Sequence, residues 1–272
     1  MLKLVILIIY FAVLIGIGLY CRKHATDVNG FVLGGRSVGP WLTAFAYGTS
    51  YFSAVVFVGY AGQFGWKYGI AATWAGIGNA IIGSLLAWVV LGRRTRIMSQ
   101  HLDSATMPQY FGKRFGSNPL KIGASVIIFI FLIPYTASLY NGLSRLFGMA
   151  FNIDYSVCII IMATLTAIYV IAGGYMATAI NDFIQGIIML FGIVAVIAAV
   201  IHSKGGFMSA LQGLANVSDP AVSDTPGIFA SFFGPDPFNL LCVVILTSLG
   251  TWGLPQMVQK FYAIDNLSLI HI

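Results

Sequence analysis

Long apolar runs alternate with short polar ones along the whole chain. A helix rising ~1.5 Å per residue needs about 20 apolar residues to cross hydrocarbon. Seven stretches meet that measure: Leu2–Tyr20, Pro40–Gly62, Tyr68–Leu91, Ile122–Met149, Tyr155–Ala172, Ala177–His202 and Phe238–Val258, the fifth being the shortest. The second is the one around which the chain is organised. Its ends are apolar, but its middle, Gly48-Thr49-Ser50-Tyr51-Phe52-Ser53, is small, hydroxylated and poor in helix formers. In hydrocarbon a weakened helix survives only where it packs in protein or lines a polar cavity. Freed carbonyls there suit a small hard cation, whereas the same small residues also serve close helix packing. Spacing alone leaves both readings open.

The seventh stretch is interrupted in a similar way. Gly250 and Gly253 flank Thr251 and Trp252, and Pro255 removes a backbone donor. Two Gly/Pro-interrupted apolar segments are the trace a transporter site leaves, although proline kinks also occur in ordinary membrane helices. Gly65 and Gly69 form a GxxxG at a span start, read as packing. Between the spans, Gly92–Leu120 mixes Pro108, Gly112, Gly116 and Pro119 with charged residues and predicts short interfacial helices. Ser203–Pro237, rich in Gly, Ser, Asp and Pro, predicts a structured or mobile external loop.

Composition strengthens the membrane reading. Of 272 residues 58% are hydrophobic and 8% charged, with mean hydropathy +0.89, where a soluble domain carries about 25% charged residues. The formal charge of +6 does not mark a nucleic-acid partner, because the basic residues follow membrane sidedness. With the first helix entering from outside, Arg22, Lys23, Arg36, Arg93, Arg94, Arg96, Lys113, Arg114, Lys121 and Lys260 fall in cytoplasmic loops. Lys3, Lys67, Arg145 and Lys204 do not. The N-terminus is therefore expected outside. Leu2–Tyr20 lacks a small-residue cleavage site and reads as a retained helix rather than a signal peptide. Cys21, Cys158 and Cys242 form no pair and read as apolar packers.

Little in the chain offers catalytic chemistry. All eight acids are aspartate, and seven fall in loops or at span ends; Asp182 alone lies inside a span. An ionisable group in a membrane costs roughly 2.5–3.5 kcal/mol by insertion scales and faces a cavity, a partner or an ion. Asn181 and Asp182 near the start of the sixth span equally fit a helix cap. A carboxylate among hydroxyls suits Na⁺ or H⁺ rather than a transition metal. His24, His101, His202 and His271 lack metal-ligand spacing, and no HExxH, Walker or GxGxxG pattern is present, so an enzyme is not expected.

The segments FVLGGRSVGPW, GGYMATAINDFIQG and GTWGLPQMVQKFYA, in this order across nearly the whole chain, resemble the sodium:solute symporter family of proline, pantothenate, sialic acid and sugar symporters. The resemblance implies an all-α polytopic membrane protein with a leucine-transporter-like fold of two inverted five-helix repeats. Residues 1–21 would be an extra N-terminal helix, 38–203 the first repeat, 204–237 an extracellular loop and 238–260 the first helix of the second repeat. The chain would be truncated there, with 266–272 a candidate non-native tail. The resemblance also implies sodium ligands at the backbone carbonyls of Thr49 and Phe52, with Ser53 lining the same break and Asp182 serving a second sodium or coupling site. Substrate positions would fall at Tyr51, Val55, Val56, Thr73, Thr247 and Thr251.

Val55 and Val56 stand where sugar-transporting relatives place polar groups, and Tyr51, Thr247 and Thr251 where proline-transporting relatives place an acid and aromatics. A sugar or proline is thus less favoured than an organic anion or another amino acid. The function so implied is sodium-coupled symport of a small organic solute across the plasma membrane, with Na⁺ as coupling ion and no organic cofactor. A membrane-embedded sensor or channel on the same scaffold is the alternative.

Overall fold

The computed structural model describes residues 2–52 and 60–265. Among them are twelve α-helices and no strand: α1 Leu2–Cys21, α2 Val28–Leu33, α3 Pro40–Tyr51, α4 Ala61–Tyr68, α5 Thr73–Gly78, α6 Arg93–His101, α7 Met107–Phe115, α8 Asn118–Phe151, α9 Tyr155–Ser203, α10 Phe207–Ala215, α11 Pro237–Gly250 and α12 Pro255–Ala263. Between α5 and α6 the chain stays helical with wider, π-type turns at Asn79–Leu86 and Trp88–Gly92. Ala61–His101, α8 and α9 are each long and apolar enough to cross a membrane, as are α11 and α12 taken together as one broken span. The protein is an all-α polytopic membrane protein. Helix α8 is apolar all round, with Ile122, Val126, Phe129, Phe131 and Ile133 all exposed, as expected of a span that faces more than a protein core.

Local chemistry sets the helix ends. Asp27, Ser117 and Asp236 each accept a backbone N–H three residues on, capping α2, α8 and α11. Thr106 caps α7 by accepting from the Gln109 amide at 3.4 Å, and the Gln109 side chain accepts from the Ala105 amide at 3.0 Å. In the Gly92–Leu120 segment the Thr106 cap gives α7, one of the expected short helices, whereas α6 has no side-chain cap and continues the helical run that begins at Ala61. In the Ser203–Pro237 segment, α10 and a 3₁₀ turn at Ile228–Ala230 give structure to the loop.

The fifth and sixth predicted spans meet inside α9 with no loop between them. Gly174 lies at φ 57°, ψ −148°, and a Cβ there would stand 2.7 Å from the Phe31 carbonyl oxygen. Only glycine supplies this turn without strain. Beside it, a Cβ on Gly173 would meet the Gly18 carbonyl oxygen at 2.7 Å, and one on Gly18 the Tyr169 carbonyl oxygen at 2.9 Å. Small residues thus let α1 lie close on α9.

The GxxxG reading is corrected. Gly65 has nothing within 4 Å of a would-be Cβ, whereas Gly69 sits at φ 62° with its Cβ position 2.1 Å from the Phe229 carbonyl oxygen. Gly69 is therefore a turn and a close approach rather than half of a helix-packing stripe.

The chain divides into two compact units. One comprises Met1–Val55, Trp88–Gly186 and Leu254–Ile272, the other Val56–Ala87 and Ile187–Gly253. The first is built on Val38, Ala46, Tyr175, Ala179 and Ala263, with Leu42 and Met176 packed alongside. The second is built on Tyr68, Ala71, Ala75, Leu240 and Val244, with Phe64, Ala72 and Trp74.

Gly174→Ala is expected to destabilise the protein by on the order of 1–3 kcal/mol through backbone strain. Gly192→Ala, a helical site with nothing within 4 Å, is expected to leave stability unchanged or slightly raised. Thermal unfolding of the two variants in detergent, followed by size-exclusion chromatography, checks the contrast.

Candidate functional site

Helix α3 starts with Pro40 in its first turn and ends at Tyr51, where Phe52 takes φ −90°, ψ 64°. The break comes later than the residue types imply. Gly48, Thr49 and Ser50 are helical, and Thr49 donates its hydroxyl to the Phe45 carbonyl at 2.8 Å, within the same helix. Packing overrides propensity here. Gly186 of α9 sits so close that a Cβ would meet Phe45 at 2.5 Å and Thr49 at 3.1 Å, and the Phe45 and Phe183 rings meet edge-on at 4.9 Å. The last-turn carbonyls of a helix have no partner within its own ladder, and they carry the negative end of the helix dipole. Hard oxygen donors at a negative pole suit Na⁺. Ser53, Val55 and Val56 lie outside the described residues.

The second break follows the same logic. Helix α11 ends at Gly250, Thr251–Gly253 forms a 3₁₀ turn, and Leu254 is extended at φ −70°, ψ 126°. Pro255 then occupies the first turn of α12, where its missing N–H is harmless.

Helix α12 runs on to Ala263, which corrects the placement of Lys260. It is not a cytoplasmic loop residue: it lies in the last turn of α12, with only 6% of its side chain exposed. Its Nζ stands 3.5 Å from Asp182 Oδ2 and 5.0 Å from the centre of the Tyr175 ring. Asp182 lies in α9 beyond the Gly174 turn, too deep to cap the resumed helix, and its recorded partner is the ammonium rather than a backbone amide. The cap reading is thereby set aside. Removing one member of a buried pair costs about 3–5 kcal/mol because the other charge is stranded. Around the pair, the Tyr175 hydroxyl and both amide atoms of Asn181 are buried with no hydrogen-bond partner among the described residues.

Helix α12 is held from several sides. The rings of Tyr47, Trp88 and Phe261 form a cluster with centres 4.7–6.1 Å apart. The Arg36 guanidinium, on a turn with φ 56°, donates to Ser99 Oγ at 3.1 Å and to the carbonyls of Ser99, Ser104 and Tyr262 at 3.3, 2.8 and 3.2 Å. Arg96 donates to the Ile264 carbonyl at 2.7 Å, and the Gln259 amide to that of Val32.

The first unit also contains a cavity of about 760 Å³. Ser50, Tyr135, Thr136, Gln256 and Gln259 give it polar points among apolar residues of α8, and among the described residues that line it none is charged. Both amide atoms of Gln256 are buried without a hydrogen-bond partner among the described residues. Sequence reasoning missed Gln256 and Lys260. The signal was the pair of polar residues at Gln256 and Gln259 in an otherwise apolar PQMVQKF.

In the second unit the Asn79 amide donates to the Thr247 hydroxyl and accepts from the Ser248 hydroxyl, both at 3.3 Å. Thr247 and Thr251 also donate to the carbonyls of Val243 and Ser248 at 2.9 Å, and Thr73 to that of Ile70 at 2.8 Å. The structure thus brings Thr247 to Asn79, a residue the sequence reading passed over.

Breaks in α3 and before α12, with the acid of α9 paired to α12, accompany a match of residues 31–272 to the sodium:solute symporter family. The chain belongs to that family. Relatives include the osmoregulated proline transporter OpuE of Bacillus subtilis, 31% identical over 262 residues, and a sodium/proline symporter of Staphylococcus aureus, 32% identical over 280 residues. They cover 95% and 98% of this chain, which in turn covers 51% of each. The chain spans about half the length of the curated relatives it matches. Family members of this kind are transporters rather than enzymes.

Arg36→Ala is expected to lose on the order of 1.5–3 kcal/mol, the range for hydrogen bonds to a charged donor. Arg36→Lys is expected to recover little of it, since a point charge cannot reach the Ser99, Ser104 and Tyr262 acceptors together. Thermal stability of the purified variants reads both.

Proposed function

We propose that this chain forms part of a sodium-coupled symporter that carries a small amino acid, proline or a close analogue, into the cell. The observation that carries this reading is the end of α3 at Tyr51, partway along a stretch otherwise long enough to span. Carbonyls there, with Thr49 and Phe52 as the assigned donors and Ser53 beside them, supply a cation site, and Asp182 supplies a second. The inward sodium gradient then drives uptake as access alternates between the two sides.

Two points support an amino acid over an organic anion. Among the described residues that line the cavity beside α8 and α12 none is charged, so these offer dipoles and apolar surface but no cation to pair with a net anion. Two of the relatives above carry proline in their names. That reverses the order in which the residues at Tyr51, Thr247 and Thr251 placed proline. The N-terminus is assigned to the outside of the plasma membrane: with Lys260 removed from the cytoplasmic loops, nine basic residues still fall there.

Proteoliposomes of the full-length protein are expected to accumulate labelled L-proline or another neutral amino acid only under an inward sodium gradient. Asp182→Asn should lower coupled uptake by tenfold or more, on the order of the loss seen when a buried charged ligand is removed. Equal flux with choline in place of sodium would reject symport.

A further inference from the structure

We propose that the Lys260 ammonium is a built-in competitor for the coupling cation at Asp182, and so a positioning residue that ties α12 to α9 when that cation is absent. This rests on the reading of Asp182 as a sodium ligand, and it adds a residue which that reading does not contain.

The pair has the form of an exchangeable contact. Its single recorded contact is 3.5 Å long, well beyond the ~2.7–2.9 Å of a strong charge-assisted hydrogen bond. Lys260 shares its ammonium with the face of the Tyr175 ring at 5.0 Å, so it has a second seat on α9 that needs no carboxylate. Near the pair on α9, the Tyr175 hydroxyl and the Asn181 amide are buried without partners among the described residues. Polar groups left in that condition call for a water or an ion.

The pair is also placed to matter. Asp182 is one turn before Gly186, the residue that packs on Phe45 and Thr49 of α3. Lys260 is one turn after Gln256 on the helix that begins at the Pro255 break. A cation that takes the Asp182 carboxylate satisfies the acid, displaces the ammonium and removes one of the ties between α9 and α12. Loss of the cation restores that tie. Ion occupancy is thereby converted into the seating of a half-helix, the Asp182 carboxylate being paired with one monovalent cation or the other.

The test uses the full-length protein in proteoliposomes, with sodium dependence read as the half-saturating concentration for solute uptake and for ²²Na⁺ binding. Lys260→Met and Lys260→Gln should lower the half-saturating sodium concentration by roughly fivefold or more, the scale of a typical coupling between two ligands of one site. Lys260→Arg, which keeps the competing charge, should stay near the wild-type value. Asp182→Asn/Lys260→Met should match Asp182→Asn alone. A purely structural brace predicts reduced stability or transport rate with the sodium dependence of Lys260→Met unchanged, and that result would overturn the proposal.

A second reading needs no variant. Dicyclohexylcarbodiimide should condense the Asp182 carboxylate with the Lys260 amine, scored by mass spectrometry of the joined peptides. The yield should fall severalfold when sodium replaces choline at equal ionic strength, and equal yields would refute the exchange. Sodium-dependent transport by the wild type together with equal yields sinks this inference alone. A wild type without sodium dependence sinks the symport reading and this inference with it.

Discussion

The structure is governed by the need of a backbone in hydrocarbon to satisfy its own hydrogen bonds. A continuous helix does this for free, so every place where a helix stops within an apolar stretch has to be supported by its surroundings. Helix α3 stops at Tyr51 against α9, with Gly186 giving the close approach. Helix α11 stops at Gly250, and the 3₁₀ turn and extended Leu254 carry the chain to Pro255. At Gly174 the same problem is solved with a single glycine turn and no spare residues. The interruptions are costly features that persist because packing pins them, and two of them end a helix within an apolar stretch.

Charge is treated with equal economy. Among the described residues the Asp182–Lys260 pair is the one ion pair, and it joins the long helix α9 to the short helix beyond the second break. Arg36 serves the opposite purpose. Its planar fork spans four acceptors on three segments and fixes the turn before α3 to the ends of α6 and α12. One contact is long, single and shared with a ring, the other short and fourfold. The first suits exchange and the second suits permanence, and both act on α12. In the proposed symport a moving element would need both a fixed hinge and a releasable tie.

Much of the architecture was legible in hydropathy and in glycine and proline, because those signals are local and integrate over a whole span. The short helix α7, the turn between the fifth and sixth spans and the break before Pro255 all follow from residues within a few positions. What the sequence hid is long-range. Lys260 looked like an exit lysine because the apolar window ends near Val258, and its partner lies 78 residues away. Gly48 to Ser50 looked like a break because propensity does not register the contact with Gly186. Asn79 was passed over as one polar residue in an apolar run, although a lone amide in a span needs a partner and finds Thr247 and Ser248. The proposed sodium and solute positions Thr49, Phe52, Tyr51, Thr73, Thr247 and Thr251 rest on the family resemblance.

The proposed coupling depends on a cation held where α3 comes to its end. Electron cryo-microscopy of the full-length protein in lipid nanodiscs, once in sodium and once in choline, tests this most directly. The account predicts density bound by the carbonyl oxygens of Thr49 and Phe52 in sodium that is missing in choline. A helix running unbroken through Phe52, with no difference between the two maps at that point, would contradict it.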